Sequence, residues 1–267
     1  MTGTEAEQET AVALKAIVTY LDTLLRVGEI PDYGGAVNGL QVANSGRVRR
    51  AAVAVDFSRP TIEQAVAAGT QLLVVHHGMF WGGAQPVVGP SYERLRLLLT
   101  ADVAVYSAHL PLDVHPTLGN NVLLASELGL TPTGGFVRYK TIDVGVSGED
   151  DLDTAELAGR AAMFAARWGH AARHTPIAPG RRTRRWGICT GAGASSESLA
   201  EAAAKGLDTL IVGEGPHHTA VEAVERGIVV IYAGHYATET LGVRALGDEL
   251  RRQFGIAWTF VGEPTGL

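Results

Sequence analysis

Two stretches of the chain share one pattern of apolar and polar positions. Each begins with an apolar run rich in β-branched residues and ends in Tyr-x-x-His, followed four residues after the histidine by a carboxylate. The stretches are VAVYSAHLPLD at 103–113 and VVIYAGHYATE at 229–239. A short apolar run of this kind predicts a buried strand. The pattern therefore places a histidine and a carboxylate just past a strand twice in one chain.

The hydrophobic pattern of residues 12–130 alternates between helical spacing and short apolar runs. Such alternation predicts crossover units, a mostly parallel sheet and an α/β fold. The predicted elements are a helix over 12–26, a Gly-rich loop at 32–39, a strand over 51–55, a helix over 60–68, a strand over 71–75, a helix over 91–99 and a strand over 103–106.

Residues 131–267 repeat this order of elements. The segment 183–214 resembles 48–77, since in both a basic lead precedes a strand, an Ala-rich helix ends at a glycine, and a second apolar strand follows. We favour an ancient duplication with halves at 12–130 and 131–267, the alternative being chance similarity between strand–helix units. The C-terminal helix could pack back on the first half. The other predicted elements are an extended segment at 136–148, a helix over 152–168, a loop at 174–185, a C-terminal helix carrying Leu246, Leu250 and Phe254, and a strand over 256–261.

Composition narrows the class of protein. With 46% hydrophobic and 19% charged residues among 267, the chain can bury a substantial core. A net charge of −6 argues against a surface that coats nucleic acid, and one cysteine excludes an internal disulfide framework. The first ten residues are polar, so no signal peptide is expected, and no apolar run approaches the roughly 18 residues of a membrane span. We expect a cytoplasmic globular protein that does not enter a membrane.

Histidines and carboxylates follow three predicted strands. His76 and His77 come directly after an apolar run, and ligands bind at the carboxyl ends of strands in open α/β sheets. Because adjacent strand residues point in opposite directions, the two histidines could serve two different ions. His235 and Glu239 are spaced to share one face of a first helical turn. His109 and Asp113 offer a similar arrangement, although Pro111 disfavours a regular helix there.

These residue types point to a metal. Histidine with carboxylate suits Zn, Mn, Fe, Co or Ni, and the lack of paired thiolates excludes a Cys-type zinc site. Any one histidine alone would more often be structural. Together, three or four histidines and two carboxylates exceed the needs of one catalytic ion and fit two ions with a bridging carboxylate.

Four sequence blocks carry a resemblance to a known family. GLQV (39–42), VVHHG (74–78), SAHLPLD (107–113) and GHYATE (234–239) resemble the signature blocks of the GTP cyclohydrolase 1 type 2 homologue family, also called Nif-three-like or YbgI-like. The blocks occur in the family's order, and the resemblance covers about 12–262. It implies two related α/β domains around a shared dinuclear metal cleft, and a homo-oligomer, often a toroidal hexamer.

The resemblance also implies a role for each matching residue. His77 and Asp113 would bind one ion, His76 and His235 the other, and Glu239 would bridge both. His109 would orient a ligand or move a proton as the candidate catalytic group. The family commonly has Pro after the His pair, where this chain has Gly78. That departure loosens the loop and leaves the ligands intact.

Further polar residues are candidates for substrate contact. Glu214 and His218, in GEGPHH after a second-half strand, could contact substrate, or could mark only a helix start. Asn38 could hydrogen-bond at the same cleft, although polar turn residues do so in many proteins. Arginines at 47–50 and 181–185 could bind an anionic substrate, but such runs are usually solvated strand ends.

Two functions from different classes follow. The first is metal-assisted hydrolysis of a small molecule, a nucleotide or another cyclic amide or phosphoester, with His109 as acid or base. The family name points to GTP ring opening, but a fold and a metal pair do not fix a substrate. The second is a non-catalytic metal-binding protein that stores or delivers metal or supports an assembly.

Overall fold

The structure is a computed structural model that describes residues 11–266. The expected lack of a signal peptide rests on residues 1–10, which lie outside that range. The described chain contains both helices and strands. The helices are α1 (Leu14–Leu25), α2 (Arg59–Ala67), α3 (Pro90–Ala101), α4 (Leu110–Asp113), α5 (Asn120–Glu127), α6 (Thr154–Ala166), α7 (Ser196–Lys205), α8 (His217–Glu225) and α9 (His235–Phe254). The strands are β1 (Val12–Ala13), β2 (Gly39–Val42), β3 (Arg47–Val48), β4 (Arg50–Asp56), β5 (Leu72–His77), β6 (Ala104–Ser107), β7 (Gly134–Tyr139), β8 (Ile142–Asp153), β9 (Arg173–His174), β10 (Arg182–Cys189), β11 (Thr209–Val212), β12 (Val229–Tyr232) and β13 (Ala257–Phe260).

The chain divides into two compact units that are interleaved along the sequence. Unit 1 holds the described residues up to Val27 together with Tyr33–Ala108 and Val243–Glu263. Unit 2 holds Gly28–Asp32, His109–Gly242 and the described residues from Pro264 onward. The division into an α/β half at 12–130 and a second at 131–267 stays a prediction.

Unit 1 is built on a sheet with the strand order β13-β4-β5-β6-β2. The first four of these strands run parallel, and β2 is antiparallel to β6. Apolar side chains of β4 and β5 are fully buried, and α2 begins at the end of β4, where Ser58 caps it and Pro60 occupies its first turn. Asp56 pairs in register with His77, so both residues lie at the carboxyl ends of their strands.

Unit 2 is built on a sheet with the strand order β7-β8-β10-β11-β12-β9. Its central strands β10, β11 and β12 are parallel, and antiparallel strands flank them. The carboxyl ends of the parallel strands lead into Thr190, Gly213 and Ala233. The predicted α/β class with mostly parallel central sheets is confirmed. Within the described residues, no helix has both the length and the apolar character needed to cross a bilayer.

Two local predictions are wrong. The loop predicted over 174–185 gives way to β10 from Arg182 onward, because Thr183 is buried while the Arg182 guanidinium pairs with Asp151 at 2.8 Å on the open side. A helix does form over Leu110–Asp113 despite Pro111. Proline is tolerated there because the first turn of a helix needs no backbone donor.

Candidate metal centre

In unit 1, β5 ends in two histidines whose rings have separate partners. His76 is fully buried, and its Nδ1 lies 2.8 Å from the Ala108 carbonyl oxygen. Nδ1 of His77 lies 2.8 Å from Oδ1 of Asp56 at the end of β4. Both acceptors require a proton on Nδ1, so in the neutral ring Nε2 carries the lone pair that a metal binds. The ring centroids are 4.8 Å apart and tilted by 53°.

In unit 2, α9 begins at His235 and stacks that ring on Glu239. Nε2 of His235 is 3.1 Å from Oε2 of Glu239, and Nδ1 is 2.7 Å from Oε1 of Glu214. The predicted helical spacing of His235 and Glu239 is therefore confirmed. Burial by itself lowers the pKa of His235, but the hydrogen bonds and charges of Glu239 and Glu214 outweigh it and raise that pKa to about 9.

A glycine makes room for the Glu239 carboxylate. A Cβ atom at Gly191 would collide with Oε1 of Glu239 and would lie 3.2 Å from Nε2 of His235. The backbone φ of Gly191 is +63°, in the left-handed region, and its N–H donates to Thr238 Oγ1 at 3.1 Å. The backbone of the loop after β10 therefore packs directly against the side chains of His235 and Glu239.

His109 and Asp32 form a buried pair in unit 2. Nδ1 of His109 lies 2.9 Å from Oδ1 of Asp32, and the other carboxylate oxygen accepts the Leu110 N–H at 2.9 Å. Their side chains are 9% and 7% exposed. Asp32 therefore fixes the ring of His109 and directs its Nε2 away from the carboxylate, as an orienting carboxylate does for a catalytic histidine.

Asp113 is held by a pair of buried asparagines at the start of α5. Asn120 donates from Nδ2 to Oδ1 of Asp113 at 2.8 Å and accepts the Gly242 N–H of α9 at 2.7 Å. Asn121 donates to the Asp113 carbonyl oxygen at 3.2 Å and accepts the Thr190 N–H at 2.9 Å. Asn120 and Asn121 thus tie Asp113 to α9 and to the loop that contains Gly191.

The predicted substrate residues take different positions. Glu214 contacts His235, so its carboxylate orients a candidate ligand. His218 is exposed on the first turn of α8, and Asn38 is half-buried in the loop before β2. Sequence reasoning missed Asp32, Asp56 and the asparagine pair. Of these, Asp56 had a signal in the sequence, because it ends an apolar run as His77 does.

The donors fit a divalent ion by their chemistry. Groups of His and Glu side chains in residues 11–266 could bind a metal ion. Three of the candidate histidines have a carboxylate on Nδ1, and the fourth has a carbonyl oxygen there. This outer set of acceptors is typical of metal-binding histidines, where it fixes the tautomer and the direction of the ring.

Fold and side-chain chemistry together define an α/β protein with carboxylate-backed histidines at strand ends. The chain belongs to the Duf34/NIF3 (NGG1p interacting factor 3) family, whose model matches residues 12–264. It is 41% identical over 260 residues to a Deinococcus radiodurans protein named GTP cyclohydrolase 1 type 2 homolog, covering 94% of this chain and 93% of that protein. A Pseudomonas aeruginosa protein of the same name is 38% identical over 259 residues, covering 95% and 98%.

Solved structures have the same fold over the whole chain. The protein ybgI, described as of unknown function, is 34% identical with a TM-score of 0.85, covering 96% of this chain and 100% of that one. A Thermus thermophilus protein is 33% identical with a TM-score of 0.79 and the same coverage. The resemblance stated from four sequence blocks is confirmed.

Proposed function

We propose that this chain is a dinuclear metal-dependent hydrolase. His76, His77, Asp113, His235 and Glu239 would hold two ions of Zn, Mn, Fe, Co or Ni, with Glu239 as the bridge. The observation that carries this proposal is the acceptor on Nδ1 of each candidate histidine, which leaves Nε2 to bind an ion. The shared dinuclear cleft itself is supported by the family resemblance.

The residues of the chain would divide the work of hydrolysis. Divalent ions held by these residues would lower the pKa of a bound water and would polarise the bond under attack. His109, held by Asp32, would accept or donate a proton at Nε2. Glu214 would keep the His235 ring in its ligand orientation.

The substrate we propose is a small molecule, a nucleotide or another cyclic amide or phosphoester. Support comes from the printed name of the relatives, GTP cyclohydrolase 1 type 2 homolog. Asn38 and His218 would contact the substrate. Glu214 would contact the substrate in addition to its contact with His235. We also propose that the protein works in the cytoplasm as a homo-oligomer, a hexamer by family resemblance, and light scattering of the purified protein tests that state.

One observation favours a second function, a non-catalytic metal protein for storage, delivery or assembly. His76 is 0% exposed and Glu239 is 3% exposed, so these ligands leave little room for a substrate to reach an ion beside them. Such a protein would bind ions with no open coordination position.

Elemental analysis of protein purified without added metal tests the proposal first. Two equivalents of a divalent ion per chain are expected, and one or none would contradict a dinuclear site. A screen of metal-loaded protein against nucleotides, cyclic amides and phosphoesters then separates the two functions. Hydrolysis that disappears in Asp113→Ala supports the enzyme, whereas two bound ions with no hydrolysis of any compound supports the metal protein.

A further inference from the structure

In unit 1 the exposed aromatic side chain of Trp81 lies beside the candidate ligand His77, and a second exposed aromatic side chain, Tyr33, lies beside Trp81. Trp81 is 44% exposed and Tyr33 is 54% exposed. The ring centroids of His77 and Trp81 are 5.4 Å apart, and those of Trp81 and Tyr33 are 6.3 Å apart with the planes at 80°. The two rings therefore make a corner next to a residue that we assign to metal binding.

The loops that carry these rings are fastened to each other. Oε1 of Gln41 accepts the Met79 N–H at 2.8 Å, while its Nε2 donates to the carbonyl oxygens of Ala36 and Val37 at 3.2 and 3.0 Å. A Cβ atom at Gly35 would lie 2.7 Å from the Trp81 carbonyl oxygen, so the two backbones meet closely. The single side chain of Gln41 thus holds the loop of Tyr33 against the loop of Trp81.

We propose that Trp81 and Tyr33 form a stacking platform for the planar ring of the substrate, a purine base or a similar heterocycle. This inference rests on the proposed function and specifies which part of the substrate is held. The planes of Trp81 and Tyr33 are nearly perpendicular, so a ring that stacks flat on one of them meets the other edge to face. Both arrangements between aromatic rings are favourable. Stacking tolerates any planar base, because every base has a π-face.

The position of the platform explains why its rings are exposed. Binding sites for small molecules are lined by aromatic groups with a few polar groups that fix orientation. Here the platform would hold the ring, and His77, whose ring is beside Trp81, would be one of the metal ligands. Exposed aromatic surface can also mark a contact between proteins, so the experiment includes that outcome.

The test measures binding to the full chain by equilibrium dialysis, using guanosine, uridine and ribose 5-phosphate as probes. Guanosine and uridine carry a ring without phosphate, and ribose 5-phosphate carries phosphate without a ring. Each is measured on chelator-treated protein and on protein loaded with Mn²⁺. The variants are Trp81→Leu, Trp81→Phe and a control, Tyr92→Leu, which removes a surface aromatic residue that is 50% exposed.

We expect guanosine to bind more tightly than ribose 5-phosphate, and Trp81→Leu to weaken guanosine binding roughly 5- to 150-fold, the range for loss of one stacked base. Trp81→Phe should retain most of the affinity, and Tyr92→Leu should match the parent protein. Guanosine should also quench tryptophan fluorescence in the parent and not in Trp81→Leu.

Equal guanosine affinity in the parent and Trp81→Leu, or no binding of either nucleoside, would overturn the platform whatever the metal content. So would a change in oligomer size in Trp81→Leu with unchanged guanosine binding, since the surface would then be a protein contact. If the parent holds no metal but binds guanosine through Trp81, the proposed hydrolase fails while the platform stands.

Discussion

The two Tyr-x-x-His-x-x-x-carboxylate segments share a sequence pattern and differ in what their side chains contact. In the second segment, Nε2 of His235 is 3.1 Å from the carboxylate of Glu239, on the first turn of the 20-residue helix α9. In the first segment, His109 precedes the four-residue helix α4 and Asp113 ends it, and the two side chains have different partners. There Asp32 holds His109 and Asn120 holds Asp113.

The tyrosines of the two segments are structural in different ways. Tyr106 is fully buried, and its hydroxyl donates to Oδ1 of Asp22 at 2.9 Å. Burial, followed by the Asp22 charge, raises the pKa of Tyr106 well above its ordinary value. The Tyr232 hydroxyl instead shares a hydrogen bond with Thr219 at 2.9 Å. In the second segment the histidine thus contacts the carboxylate of its own segment, whereas in the first segment Asp32 contacts the histidine and Asn120 contacts the carboxylate.

The largest expected effect is on the number of bound ions, and it should differ between variants of Glu239 and Asp113. Glu239→Gln should remove both ions, because we assign that side chain to both, whereas Asp113→Asn should remove one. Isothermal titration of chelator-treated protein with Mn²⁺ gives the number of sites. A Glu239→Gln variant that still binds two equivalents would contradict the bridge, and equal losses in the two variants would erase the difference between the segments.

Asp32 and Glu214 each orient a histidine, and replacing each carboxylate by an amide should affect a different property of the protein. Asp32→Asn should lower the rate of any hydrolysis found by about 100-fold or more while both ions stay bound, because it disturbs a proton-transfer group. Glu214→Gln should lower metal affinity by about 10- to 100-fold, because it disturbs a ligand. Rates and Mn²⁺ titrations of both variants check this, and loss of metal from Asp32→Asn would place His109 among the ligands.

Asn120→Ala should weaken the site through Asp113. The change leaves the buried Gly242 N–H and the Asp113 carboxylate without the amide between them, which should destabilise the fold by about 1–3 kcal/mol and lower Mn²⁺ affinity about 10-fold. Urea unfolding and metal titration measure the two effects.

Thr183→Val is the matched control for Asn120→Ala. Thr183 is equally buried, and its hydroxyl bonds to Thr154 and Thr209 at 2.9 Å, at the opposite end of β10 from Gly191. We expect the control to lose stability and keep its metal affinity. If both variants lose metal alike, Asn120 acts on the fold alone.

The smallest effect concerns the pH dependence of the metal-free chain. The pKa of His235 rises from 6.5 to about 9 on folding, so protonated His235 stabilises the fold. This contribution is fully present below pH 6.5 and is lost as the pH rises toward 9. Glu214→Gln should reduce it by about 1 kcal/mol. The gap in melting temperature between the chelated parent and the variant should therefore close from pH 6 to pH 10, and a constant gap would contradict the ion pair.

The sequence indicated which strands lead into histidines, but it did not indicate which residues contact those histidines. His76, His77, His235 and Glu239 follow apolar runs, so a local pattern places them at strand ends. The residues that contact the histidines come from elsewhere in the chain, since Asp56 is 21 residues from His77 and Glu214 is 21 residues from His235. Asp32 is 77 residues from the candidate proton-transfer group His109. No local periodicity encodes such pairings, because only the sheet order and helix packing create them.

The start of β10 is another place where the local sequence pattern did not predict the structure. The Pro, Gly and Arg content of residues 174–185 predicts a loop, yet antiparallel pairing with β8 places residues 182–185 in the sheet. Tertiary pairing overrode local propensity at that position.

Strand β13 has a consequence for anyone who divides this chain. It comes from the C-terminal end of the sequence and pairs in parallel with β4, from Ala257 beside Arg50 to Phe260 beside Val53. A fragment that stops at residue 130 would leave β4, with its wholly apolar buried core from Ala51 to Val55, as an open edge that invites aggregation. If the chain arose by duplication, the ancestral half needed a closing strand of its own, and split-gene experiments should carry residues 243–263 along with the first half.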